Sequence, residues 1–200
     1  MPGLADISSC GGAGAAAGLN CIQPIAPPAS GTPATGGASG VTITSAMLVQ
    51  EAMRRLAPPA PAVNLNPEGD QLVQLPSWLW LDSGQWVTRR ATASAGGVSA
   101  TVVADPQRVL WDMGNGDTVT CDGPGRPYAA EFAESPEATE CRYTYRHSSA
   151  SQPGASFEVT ATIRWAASWS GSDGDGGDLG FLSTSASVPI RVQEAQALVQ

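Results

Sequence analysis

From Gln71 onward, apolar and polar residues alternate in short runs that break at clusters of Gly, Pro, Asn and Asp. The clearest run covers residues 157–165. There Phe157, Val159, Ala161, Ile163 and Trp165 share one face of a strand, and Glu158, Thr160, Thr162 and Arg164 share the other. A period of two marks a half-buried antiparallel strand. Strands are predicted over residues 71–75, 78–81, 88–94, 97–104, 108–112, 117–121, 141–146, 157–169 and 182–194. Turn signals separate them at Gly96-Gly97, Asp105-Pro106, Gly114-Asn115-Gly116, Gly123-Pro124-Gly125, Pro153-Gly154 and from Gly171 to Gly180. Short strands at this spacing predict an all-β fold, an antiparallel β-sandwich over residues 71–200.

Helical spacing occurs over Ser45–Leu56, where Leu48, Val49, Ala52, Met53 and Leu56 recur on one face. Thr44 or Ser45 suits the N-cap, Arg54 and Arg55 suit the last turn, and Pro58-Pro59 stops the helix. A helix this short is marginal alone, so its apolar stripe needs a surface. That surface is either the sandwich of its own chain or a partner. Residues 44–70 therefore read as one short helix and a Pro-rich linker. Residues 1–43 are rich in Gly, Ala, Pro and Ser and cannot bury enough apolar surface to offset their ordering entropy, so a flexible, disordered tail is expected.

Charge narrows the function classes. The net charge is −8, and all ten basic residues are Arg. An acidic chain without a basic run argues against nucleic acid and against electrostatic docking on an anionic membrane. With no Lys in the chain, a phosphate-binding loop of the G-x-x-x-x-G-K-[ST] type is impossible, and nucleotide is excluded on that ground. No apolar run is long enough to predict a transmembrane segment.

Four cysteines, Cys10, Cys21, Cys121 and Cys141, fall into two sequence-local pairs without C-x-x-C spacing. Two local disulfides, Cys10–Cys21 and Cys121–Cys141, are expected, with free thiols as the other reading. Disulfides imply an oxidising compartment, hence a secreted or cell-surface location. Residues 1–18 nevertheless lack the basic and apolar regions of a signal peptide. The true start lies upstream, or Met1 was added to a mature chain, or the protein is cytoplasmic with free thiols.

Catalytic residues are not predicted. His147 is the sole histidine, and its neighbours Ser148 and Ser149 are adjacent in sequence without implying triad geometry. Asp173, Asp175 and Asp178 lie in a Gly-rich run and give a weak calcium candidate, because the bidentate Glu of a calcium loop is missing where Thr184 stands. The expectation is no metal and no cofactor. Trp78, Trp80, Trp86 and Trp169 are candidate ligand-binding residues if their rings lie open for stacking against sugars. If they plug the core or seat the helix, they carry no site.

Two stretches resemble the hallmark strands of PKD (polycystic kidney disease) domains. One is Val109-Leu110-Trp111-Asp112-Met113-Gly114-Asn115-Gly116, similar to the family's W-D-F-G-D-G. The other is Tyr143-Thr144-Tyr145, followed by Gln152-Pro153-Gly154 and Phe157-Glu158-Val159-Thr160-Ala161-Thr162, similar to H-T-Y, P-G and Y-x-V-T-x-x-V. Met113 and Asn115 depart from the family pattern. From Leu75-Pro76-Ser77-Trp78-Leu79-Trp80 onward the chain is also similar to secreted actinobacterial proteins, some of them labelled ATP/GTP-binding. The lack of Lys fits a high-GC coding bias of that kind. The resemblance implies a PKD/Ig-like sandwich with Trp111 in its centre. It implies a non-catalytic envelope module that binds another envelope or secreted protein or acts as a spacer. A carbohydrate-binding module is the alternative, with a glycan as its partner.

Overall fold

The structure, a computed structural model, describes residues 42–132 and 141–194. The Cys10–Cys21 pair and nearly all of the expected tail lie outside the described residues. Helix α1 (Ser45–Leu56) leads into β1 (Val63–Asn66), β2 (Gln71–Leu72), β3 (Pro76–Leu81), β4 (Arg89–Ala95) and β5 (Val98–Asp112). Then follow β6 (Thr118–Cys121), β7 (Arg142–Thr144), β8 (Phe157–Gly171), β9 (Gly176–Ile190) and β10 (Val192–Gln193). The fold is all-β with one short helix, as predicted.

The larger antiparallel sheet runs β4-β5-β8-β9, with β6 paired to the second half of β5. A smaller sheet runs β1-β3-β7, and β2 and β10 form a parallel pair. The inner face of the large sheet presents Val109 and Trp111 from β5 and Val159, Ala161, Ile163 and Trp165 from β8, all at 0% exposure. Leu79 and Leu81 of β3 join the same core, as does Tyr145 just after β7. Tyr145 stacks on Phe157 with ring centroids 5.3 Å apart, and its hydroxyl donates to the Met113 carbonyl. Trp165 donates its indole N–H to Thr184 Oγ1 at 3.1 Å. The indole N–H of Trp111 has no hydrogen-bond partner among the described residues.

The helix resolves its two readings in favour of its own chain. α1 packs across β4 and β5, burying Ala52 and Leu56. Its first turn rests on Gly171, where a Cβ would come within 2.1 Å of Ser45 Oγ. Glycine is required there because nothing larger leaves room for the helix to land.

Three sequence expectations shift. The predicted turn at Asp105-Pro106 is a β-bulge inside the single strand β5. The extra residue moves the inward positions from Ala100, Val102 and Ala104 to Val109 and Trp111. Proline is tolerated at such a point because the ladder is already interrupted. The predicted linker over residues 58–70 contains β1, which pairs with β3 from Val63↔Leu81 to Asn66↔Trp78. The Gly-rich stretch from Gly171 to Gly180 is mostly strand, because β9 already starts at Gly176. Glycine lacks the side chain that strand propensity reads, so pairing with β8 overrides the local signal. At Gly114 the turn signal is borne out: φ is +74° and a Cβ would lie 2.7 Å from the Glu158 amide.

Candidate functional site

The four candidate tryptophans form no open row. Trp78 is 5% exposed and meets Tyr128 edge-on, ring centroids 5.3 Å apart. It shares a face of β3 with Trp80, while Leu79 and Leu81 fill the core on the other face. Trp80 is half-buried and lines a groove. Trp86 ends a 3-10 turn that begins at Ser83, and both it and Trp169 lie half-buried against the core.

The acidic loop is used by its own fold. Asp173 accepts from the Ser45 amide at 3.0 Å and from the Ser45 hydroxyl, so it caps α1 from the β8–β9 turn. Those two bonds hold its carboxyl below the usual range. Asp178 accepts from the Gly180 amide, and Asp175 donates its amide to Asp173. Among the described residues, no three Asp, Glu, His or Cys side chains gather as a metal cage would require.

Cys121 and Cys141, 20 positions apart in sequence, are joined by a disulfide with Cα atoms 5.6 Å apart. Closing a loop of that length stabilises a fold by about 3 kcal/mol in the chain-entropy picture. Nearby, the turn at Gly114-Asn115-Gly116 meets Tyr143. Tyr143 donates its hydroxyl to Asp117 and accepts from Asn115 Nδ2 at 2.7 Å. Burial first, and the Asp117 bond second, push the Tyr143 phenol up. Arg146 and the exposed His147 line a cavity of about 350 Å3 beside Tyr143. Ser149 is spent on structure, donating to the Ala155 carbonyl at 2.6 Å and accepting from the Val192 amide at 2.9 Å. No nucleophile is paired with His147 among the described residues.

The feature missed by sequence reasoning is the edge of the large sheet. β9 pairs with β8 on one side, and among the described residues no strand pairs with its other side. Bulging near Leu179 and a proline at Pro189 interrupt its two ends. Between them, residues 181–188 run in unbroken register without charge or proline. Natural edge strands are normally blunted by such devices. The inward side chains Leu182, Thr184, Ala186 and Val188 are half-buried. Beyond Val188 a groove of about 720 Å3 opens between β9 and β1, lined by Leu65, Trp80 and Ile190 together with the charged Glu68, Asp70 and Arg191. On the outer face, Phe181 is 58% exposed and the Arg164 guanidinium carbon sits 3.8 Å from its ring centroid.

The alternation of Leu182, Thr184, Ala186 and Val188 with serines marks a strand, but nothing local says that it lies at an edge. That follows from the strand order. Comparison of the chain with family models, curated proteins and solved structures returns no match.

Proposed function

We propose that this chain is a non-catalytic interaction module that accepts an extended segment of another protein along β9. The observation that carries this reading is the open run 181–188, a strand edge without charge, proline or bulge, beside a groove. An added strand gains main-chain hydrogen bonds from the edge, and its inward side chains meet a groove of mixed apolar and charged lining at the Val188 end. The burial of Trp78 and the half-burial of Trp80, Trp86 and Trp169 favour protein over a sugar ligand, which needs open rings.

The reading extends to compartment and family. The Cys121–Cys141 disulfide supports a location outside the cytoplasm, as in a secreted or cell-surface protein. The order of the two motif stretches supports a PKD-like domain of an actinobacterial envelope protein, with another envelope or secreted protein as its partner.

A displayed library of ten-residue peptides tests the edge. Panning against the full chain should enrich strand-forming sequences, and panning against Ala186→Lys should not, because an inward charge on an edge blocks pairing. The same peptides on both proteins, or none on either, would remove β9 as the binding element.

A further inference from the structure

The outer face of the large sheet says what the partner strand should carry. Arg164 on β8 stands directly opposite Arg108 on β5 and opposite Ser183 on β9. Like charges directly opposite one another destabilise a strand pair. Among the described residues, neither arginine has a salt bridge, and the ion pairs present join Glu51 to Arg54 and Arg55. Arg164 is an exposed residue. It leans across β9 onto Phe181, so its guanidinium lies over the edge strand.

Two acids of the same face serve uncharged donors rather than an arginine. Asp105 accepts from the Thr88 hydroxyl, and Asp178 accepts from the Gly180 amide. Among the described residues, Arg108 and Arg164 thus have no ion-pair partner. A strand added to β9 would run about 4.8 Å from it. Its outward side chain opposite Ser183 would stand beside the Arg164 guanidinium, with the exposed Phe181 ring below.

We infer that the β9 edge selects a strand bearing acidic side chains on the face it shares with Arg164 and Phe181. This rests on the strand-accepting reading above. A carboxylate there pairs with the Arg164 guanidinium, and Phe181 holds that guanidinium in place so that little side-chain freedom is lost on binding. The overall charge of −8 repels acidic peptides, so a preference for one is a local effect of these arginines.

Two synthetic ten-residue peptides of alternating Val and Thr test it, one with two Glu and one with two Gln at adjacent same-face positions. Binding to the full chain is read by fluorescence anisotropy, with sedimentation to record the oligomeric state. The Glu peptide should bind about fivefold to tenfold tighter at low salt, the gap shrinking as salt rises. Arg164→Gln, checked for folding by circular dichroism, should bring the two peptides level. Equal binding of both peptides to the unsubstituted chain overturns the acidic preference and leaves the edge reading standing. Binding of neither peptide, with the chain monomeric, overturns the edge reading itself. A dimer that excludes both peptides identifies a second copy as the occupant and overturns the acidic partner.

Discussion

β8 and β9 are neighbours of equal length, 15 residues each, paired in one antiparallel ladder, yet their inner faces differ. Along β8, Val159, Ala161, Ile163 and Trp165 are completely buried. Their partners on β9, Val188, Ala186, Thr184 and Leu182, are only half-buried. β8 is paired with a strand on each side, whereas among the described residues β9 is paired with β8 alone. The difference teaches that the same alternating pattern can serve two purposes. Covered on both sides it builds the core, and covered on one it leaves a template.

The sharpest break of this comparison is at the centre. Trp111→Ala removes a fully buried side chain and should cost about 3–5 kcal/mol. Domains of this size have about 5–15 kcal/mol in total, so little soluble folded protein should remain. A variant that melts near the wild-type temperature would take Trp111 out of the core and the PKD-like proposal with it.

A matched pair sharpens the contrast. Val159 and Val188 face each other across the β8–β9 ladder, so the same truncation can be made on both sides. Val159→Ala should cost roughly 2 kcal/mol, from about 0.8 kcal/mol per buried CH2 plus a cavity. Val188→Ala, half-exposed already, should cost about half as much. Equal losses in denaturant melts would mean that β9 is as well covered as β8.

The smallest effect concerns the turn that joins the two strands. The Asp173 carboxyl titrates below its usual 3.8 because it accepts two bonds from Ser45. Its contribution to holding α1 is therefore present above pH 3.8 and lost as pH falls through the lower folded-state value. Asp173→Ala should lower the melting temperature modestly at neutral pH, and the gap should close in acid. A gap that persists unchanged in acid would show that the carboxylate is not the anchor.

Much of this architecture was legible in sequence because it rests on local periodicity. α1 has the predicted bounds, Ser45–Leu56, since its stripe and its stop signals agree. The inward row of β8 follows from strict alternation, and Trp111 is buried as expected. Legibility failed where tertiary pairing overrides local chemistry. Asp105-Pro106 reads as a turn but bulges within β5, and β1 hides in a Pro-rich segment because its partner β3 is what makes it a strand. The candidate site was the least legible part. An edge is a property of strand order, and Arg164 meets Phe181 only once the hairpin register is known. Asp173 lay in a run whose pattern suggested a cation, and the donor it serves is Ser45, 128 residues away in sequence.

Amide hydrogen exchange on the full chain, resolved residue by residue, tests the open edge most directly. In an antiparallel edge strand every second N–H points away from its single neighbour. Rapid exchange is expected at alternate amides across residues 181–188. The facing β8 amides should exchange only with global unfolding. Uniform protection of all eight β9 amides, at the level of β8, would show that the edge is already occupied and would contradict the proposed function.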